Sequence, residues 1–232
     1  MNIHKIISIV ESSPKLREIF RFCPYEILNK FEVKSFKSGQ IIFEQGEVYD
    51  CFCLITKGLA DIYITIENGK RYSQAIYSEA DFIGELELFE VRPFVCSVAA
   101  LTDMELLVLD RKSFLLWVEL DKNFNHYLMR LMSKQFYKLS KKAGDDNLYS
   151  LKYRVCDYLI SCVDDQERKS EKIILNIMKN QLSERFAVTE RSINRVLKSL
   201  KEKQIIEINS RNIIVKDIQK LKKELKAERL EK

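Results

Sequence analysis

The stretch Leu182–Lys203, LSERFAVTERSINRVLKSLKEK, indicates the fold and purpose of the chain. At helical spacing its second half separates an apolar stripe from a polar face. The stripe comprises Ile193, Val196, Leu197 and Leu200, and the polar face comprises Arg191, Asn194, Arg195 and Lys198. Upstream, Leu182 and Phe186 lie one turn apart, and Thr189 is placed to cap the second helix. The pattern predicts a helix-turn-helix whose second helix can enter a DNA major groove.

The next segment, Gln204–Val215 (QIIEINSRNIIV), predicts two short strands around an Asn-Ser-Arg-Asn turn. Such a hairpin would form a wing with Arg211 at its tip. Taken alone, these residues also fit an ordinary amphipathic helix followed by a hairpin. The predicted DNA-contacting residues are Glu190, Arg191, Ser192, Asn194, Arg195, Lys198 and Arg211.

Charge is distributed unevenly along the 232 residues, whose formal net charge is +5. Residues 170–232 carry 16 basic and 9 acidic side chains, a net of +7. Residues 33–110 carry 6 basic and 13 acidic side chains, a net of −7. A polyanion would therefore be attracted to the C-terminal segment and repelled by the earlier one.

The remaining pattern predicts an α+β protein in three parts, with amphipathic N-terminal helices before the first of its strands. Residues 1–111 contain glycine-punctuated strands that predict a small β-roll of the jelly-roll type. Residues 112–143 predict one long dimerisation helix, and residues 144–232 a winged helix-turn-helix domain. Gly144 is predicted to stop the long helix and act as a hinge. The predicted dimer seam comprises Phe124, Leu128, Leu131, Gln135 and Leu139, beside a second apolar row of Met132, Phe136 and Leu139.

Several motifs in this order resemble the CRP/FNR family of bacterial transcription regulators, and they extend over nearly the whole chain. Ser38-Gly39-Gln40 with Gly46-Glu47 resembles the opening of that family's β-roll, and Phe82-Ile83-Gly84-Glu85-Leu86 resembles its phosphate-binding cassette. Residues 189–200 resemble its recognition helix, and residues 82–89 are similar to the YeiL-like branch. The resemblance implies a homodimer that binds a palindromic operator on double-stranded DNA and contacts RNA polymerase.

Departures from the family pattern concern the effector. Cyclic-AMP-binding members place an arginine four residues before a strand valine, and with Val98 as that valine the position is Phe94. A phenylalanine cannot neutralise a buried phosphate, so we expect the β-roll not to bind cyclic AMP. An unidentified small molecule, or none, would control the protein. The resemblance places the effector pocket at Gly84, Glu85, Leu86, Phe94, Val95, Gln135 and Lys142.

Other chemistries have little support in the sequence. The six cysteines lack CxxC spacing and predict reduced thiols, although a redox role for Cys51 and Cys53, which alternate along one strand, stays open. We expect no metal, no cofactor and no enzymatic activity, because no nucleophile with a base and no metal-ligand spacing is present. No run reaches about 18 apolar residues, so we expect a cytoplasmic protein without membrane contact. A ligand-independent activator with the β-roll as scaffold is the alternative.

Overall fold

Ten helices and eleven strands are present in the part of the chain that the computed structural model describes, residues 3–164, 173–209 and 212–230. The chain divides into two compact units, Met1–Phe136 and Tyr137–Lys232. The helices are α1 (Ile3–Glu11), α2 (Pro14–Phe20), α3 (Tyr25–Leu28), α4 (Glu85–Leu88), α5 (Arg111–Leu120), α6 (Lys122–Leu148), α7 (Leu151–Asp164), α8 (Lys179–Phe186), α9 (Glu190–Glu202) and α10 (Ile218–Leu230). The strands are β1 (Glu32–Phe36), β2 (Ile41–Phe43), β3 (Cys51–Lys57), β4 (Ala60–Thr65), β5 (Arg71–Tyr77), β6 (Phe82–Ile83), β7 (Ser97–Ala100), β8 (Met104–Asp110), β9 (Ile173–Leu175), β10 (Ile206–Ile208) and β11 (Ile213–Val215).

Two antiparallel four-stranded sheets build the β-roll of the first unit. Their strand orders are β1-β8-β3-β6 and β2-β7-β4-β5. Alternating apolar side chains such as Ile55, Ile62 and Leu106 pack between the sheets. The β4–β5 hairpin closes through Gly69, whose φ of 77° is one that L-residues seldom adopt. The α+β class and the β-roll are confirmed.

The N-terminal helices cover one outer face of this roll and share a second core with α5 and the start of α6. Trp117, which is fully buried, stacks on Phe124 with ring centroids 3.5 Å apart. Phe20 and Phe31 approach the same indole at 5.2 and 5.6 Å. Aromatic residues therefore fix α5 and the first turns of α6 to the first unit.

The predicted single helix over residues 112–143 is corrected, because Asp121 divides it into α5 and α6. Asp121 adopts an extended conformation, with φ −105° and ψ 96°. Its carboxylate accepts hydrogen bonds from the backbone N–H groups of Asn123 and Phe124 at 3.0 and 3.1 Å, so it caps α6. The same carboxylate accepts a hydrogen bond from Trp117 Nε1 at 3.1 Å. A helix cap and a buried indole partner together outweigh continuation of the helix.

The predicted helix stop at Gly144 is also corrected, because α6 continues through Gly144 to Leu148. Asp146, beyond the glycine, pairs with Arg154 of α7 at 2.6 Å. A helical glycine is less stable than alanine by only about 1 kcal/mol, which such contacts offset. The chain leaves the helix at Tyr149-Ser150 instead, where Ser150 Oγ accepts a hydrogen bond from Tyr153 N at 3.1 Å.

The second unit has its own core beneath a three-stranded sheet of order β10-β11-β9. The predicted hairpin corresponds to β10 and β11, and β9 adds a third strand on the far side of β11. Helices α7, α8, α9 and α10 pack their apolar faces around this sheet. The predicted winged helix-turn-helix is confirmed.

Candidate nucleic-acid interface

The helix-turn-helix forms as its sequence pattern predicts. Between α8 and α9, Ala187 adopts a left-handed conformation with φ 52° and ψ 40°, which turns the chain sharply. Thr189 Oγ1 accepts a hydrogen bond from the backbone N–H of Ser192 at 3.3 Å and so caps α9. The stripe of Ile193, Val196, Leu197 and Leu200 is buried in the core of the second unit. Burial of this stripe fixes which face of α9 points outward.

The outward face of α9 is polar throughout. Glu190, Arg191, Asn194, Arg195 and Lys198 are exposed, whereas Ser192 is half-buried beside Thr189. Arg191 and Arg195 lie one helical turn apart and form no ion pair with any described residue. Lys198 pairs only loosely with Glu202, at 3.8 Å. Two guanidinium groups on one face can each donate a pair of hydrogen bonds to a guanine edge. Arg211 lies outside the described residues.

An open cleft of about 650 Å³ lies between the start of α8, the start of α9 and the wing. It is lined by Met178, Lys179, Asn180, Glu190, Ile208 and Asn209. Lys179 and Asn209, which line this cleft, are not among the residues that the sequence predicted to contact DNA. At the start of α8, Gln181 Oε1 accepts a hydrogen bond from the backbone N–H of the N-cap residue Met178 at 2.9 Å.

A network of ion pairs ties α9 to the start of α7 through α10. Glu224 of α10 accepts short hydrogen bonds from Lys152 and Lys203, and Glu228 pairs with Lys152 at 3.1 Å. Ser150 Oγ donates to Glu228 at 2.6 Å. Burial opposes ionisation, but the hydrogen bonds outweigh it, so the pKa of Glu224 is lowered and that of Lys152 is raised. The network holds the C-terminal end of α9 in a fixed orientation.

In the β-roll, the cassette residue Glu85 is buried and forms no ion pair with any basic side chain that the structure describes. Burial raises its pKa to about 8, its own backbone N–H opposes that rise, and the charges of Glu87 and Asp81 add to it. Burial, and then the charge of Glu85, also raise the pKa of Tyr77. Because its pKa lies near 8, the buried carboxyl of Glu85 retains its proton at neutral pH.

Phe94 occupies the space beside this cassette. Its ring is buried and lies 4.9 Å from the ring centroid of Phe43 and 5.1 Å from that of Tyr49. Gly84 has a φ of 91°, and a Cβ built on it would lie 3.2 Å from Phe94 Cζ and 2.8 Å from the carbonyl oxygen of Cys51. Aromatic packing surrounds Phe94, the position that the family resemblance aligns with a phosphate-binding arginine.

The other predicted pocket residues differ in their burial and in the unit to which they belong. Leu86 and Val95 have 55% and 61% of their surface exposed, so they take no part in the buried aromatic packing of Phe94. Gln135 Nε2 is buried and has no hydrogen-bond partner among the described residues. Lys142 belongs to the second unit, where burial, and then the charge of Arg185, lower its pKa to about 8.

The predicted dimer seam also needs correction. Phe124 and Leu128 are fully buried in the core of the first unit, and Leu131 packs partly against the same core. These residues face the β-roll side of α6 because aromatic packing around Trp117 takes that face. The large apolar side chains that α6 leaves exposed are Met129, Phe136, Tyr137, Leu139 and, at its end, Leu148.

Comparisons with known proteins agree with this architecture. The cyclic nucleotide-binding domain family matches residues 33–119, and the Crp-like helix-turn-helix domain family matches residues 153–224. An anaerobic regulatory protein of Bacillus subtilis (strain 168) is 30% identical over 198 residues, which are 82% of each chain. The cAMP-activated global transcriptional regulator CRP of Salmonella typhimurium is 22% identical over 191 residues, 81% of this chain and 91% of the relative. A CooA mutant structure from Carboxydothermus hydrogenoformans has a TM-score of 0.73 at 18% identity, covering 90% of this chain and 94% of that one.

A β-roll followed by a long helix and a winged helix-turn-helix with an exposed basic face defines a DNA-binding transcription regulator with an effector-binding-type domain. The chain belongs to the CRP/FNR family. In the part of the chain that the structure describes, no helix is both long and apolar enough to cross a membrane.

Proposed function

We propose that the protein is a homodimeric, sequence-specific regulator that binds a two-fold-symmetric operator and contacts RNA polymerase. The observation that carries the proposal is the exposed face of α9. On this face Arg191 and Arg195 form no ion pair with a described residue, and Asn194 is exposed between them. Glu190 can accept from cytosine N4, and the two arginines can donate to guanine O6 and N7. Ser192 and Lys198 are placed for phosphate contacts.

Selection of bound sites from random DNA tests this proposal. Enriched sequences should contain two inverted half-sites about one helical turn apart, roughly 34 Å, because each copy presents one recognition helix to successive major grooves. Titration of the enriched duplex against a scrambled duplex at the same salt concentration gives the specificity ratio. Equal affinities for the two duplexes would refute sequence-specific binding.

An apolar row on α6 supports dimerisation. Met129, Met132, Phe136 and Leu139 follow the alternating three-and-four spacing of a coiled-coil seam, and Met129 and Phe136 are 60% and 75% exposed. Two such rows packed together would remove these side chains from water. The family resemblance points to the same arrangement.

Analytical ultracentrifugation can test the seam. Met129→Glu/Phe136→Glu should shift the protein from dimer to monomer, because it places charges in the centre of the contact. The matched control is Lys134→Glu/Lys141→Glu, which changes the charge more at exposed positions off the seam and should remain dimeric. Monomeric wild-type protein, or a dimeric double glutamate variant, would contradict the assignment.

We further propose that the β-roll does not bind cyclic AMP. The packing of Phe94 on Phe43 and Tyr49 supports this inference, because a buried phenylalanine offers no donor or charge to a phosphate. Calorimetric titration with cyclic AMP should give no binding heat at concentrations up to about 100 μM, which would saturate a site with a dissociation constant of about 1 μM. Saturable binding would overturn the inference.

The same aromatic packing favours the alternative, in which the β-roll is a scaffold and DNA binding needs no effector. Phe94 is 3% exposed and completes the roll interior without a ligand. If the purified protein binds its selected operator at full affinity, and no metabolite raises its melting temperature, the scaffold reading holds. If a metabolite raises both the affinity for the operator and the melting temperature, the effector-controlled function holds.

A further inference from the structure

The charges on α10 are sorted by direction. Glu224 and Glu228 point inward, with side chains only 13% and 14% exposed, and are neutralised by lysines of α7 and of the α9 cap. Lys220, Lys223 and Lys226 point outward and are exposed. The exposed stripe from 219 to 227 is completed by a glutamine and an alanine, so it carries three positive charges and no acid.

Ion pairing of the outward lysines is weak, because Lys220 forms one loose pair with Asp217, at 3.8 Å, and buried apolar side chains hold α10 in place. Leu221 is fully buried, and Ile218 and Leu225 are partly buried beside it. A helix face that meets only water commonly mixes both signs of charge, and like charges three or four residues apart destabilise a helix by a few tenths of a kcal/mol. A row of lysines alone is instead suited to a polyanion.

This stripe is connected to the recognition helix within the same unit. Lys203, at the C-terminal cap of α9, donates a short hydrogen bond to Glu224 on the inner side of α10. The backbone N–H of Lys216, just before α10, donates to the carbonyl oxygen of Ile205 at 3.0 Å. The exposed lysines of α9, Lys198 and Lys201, precede this connection. Exposed lysines are therefore present on both α9 and α10, and the end of α9 is joined to α10 through Lys203 and Glu224.

We propose that Lys220, Lys223 and Lys226, which define the α10 stripe, form a second phosphate-binding surface for DNA that flanks the operator half-site. The inference rests on the DNA binding of α9 and adds a contact outside it. Residues 220 to 226 rise about 9 Å along the helix, a distance over which one DNA strand carries two or three phosphates. Contacts of this kind add affinity that does not depend on sequence.

The test uses the full-length protein and duplexes that carry the selected site with flanks of about 4 or about 20 base pairs. Fluorescence anisotropy at a series of salt concentrations gives the slope of log K against log salt. For the variant Lys220→Gln/Lys223→Gln/Lys226→Gln, the slope on the long duplex should fall by about 2 to 3 per bound subunit, since each lost phosphate contact removes about 0.9. The gain in affinity from long flanks should disappear, and the enriched base sequence should stay the same.

The matched control is Lys15→Gln/Lys70→Gln/Lys122→Gln, which removes the same charge from exposed positions of the first unit. It should keep the wild-type slope, which separates local contacts from net charge. Circular dichroism and melting curves confirm that both variants fold.

Three results would overturn the α10 stripe as a DNA contact. The first is a wild-type salt slope and flank dependence in the glutamine variant. The second is an equal loss in the control variant, which would indicate net charge alone. The third is normal DNA binding by the glutamine variant with reduced transcription by RNA polymerase, which would assign the stripe to a protein. Wild-type protein that does not prefer its selected site would instead remove the proposed function itself.

Discussion

Replacement of Phe94 tests whether the β-roll interior is closed by aromatic packing. The ring is 3% exposed and contacts Phe43 and Tyr49 with centroids about 5 Å apart. Phe94→Ala removes the buried ring and leaves a cavity, which destabilises proteins by about 3 to 5 kcal/mol. The two aromatic pairs, at about 0.5 to 1.5 kcal/mol each, place the expected loss in the upper part of that range.

Urea unfolding followed by tryptophan fluorescence measures this loss directly. The chain has 1 tryptophan, Trp117, which is buried in the first unit, so the signal reports the unit that contains Phe94. With a urea dependence of about 2 kcal/mol/M, the midpoint should fall by roughly 2 M.

Val95→Ala is the matched control, because Val95 is next to Phe94 in the sequence but is 61% exposed. Its effect should stay below about 0.5 kcal/mol. If Phe94→Ala shifts the midpoint no more than Val95→Ala does, the ring does not fill the interior, and the argument against a phosphate ligand loses its basis.

Three further predictions concern pH, caps and base reading. Burial raises the pKa of Glu85 to about 8, so the folded state retains a proton that the unfolded state releases above pH 4.5. The free energy of unfolding should therefore fall as pH rises from about 5 to 8. Glu85→Gln should flatten that dependence in urea titrations. Asp121→Ala should destabilise the first unit by about 2 to 4 kcal/mol in calorimetry, because it removes the cap of α6 and leaves Trp117 Nε1 without its hydrogen-bond partner. A loss under about 0.5 kcal/mol would show that neither hydrogen bond contributes to stability. Arg195→Ala should weaken operator binding by about 1 to 3 kcal/mol and relax one base position in a new site selection, whereas uniform weakening on all sequences would mark a phosphate contact.

The sequence by itself determined the elements whose signals are local. The period of apolar residues around Leu197 fixes the face of α9 that is buried, and Thr189 caps that helix through a hydroxyl three residues from its partner. The hairpin at Gly69 needs a left-handed backbone, which glycine supplies. Such features depend on neighbours within about one helical turn or one tight turn, so they can be read directly from the chain.

Only the tertiary structure decided which apolar face of a long helix is buried and which is left exposed. Two apolar rows on α6 have the same sequence signature, and the aromatic core around Trp117 takes Phe124 and Leu128 while leaving Met129 and Phe136 exposed. Asp121 ends α5 because its carboxylate meets a buried indole, and Gly144 stays helical because contacts beyond it continue the helix. The inward orientation of the α10 glutamates could not be predicted from the sequence, because it depends on Lys152 and Lys203, which are distant in sequence. Periodicity shows that a face is apolar, but the partner that covers it is set by packing between residues far apart in the chain.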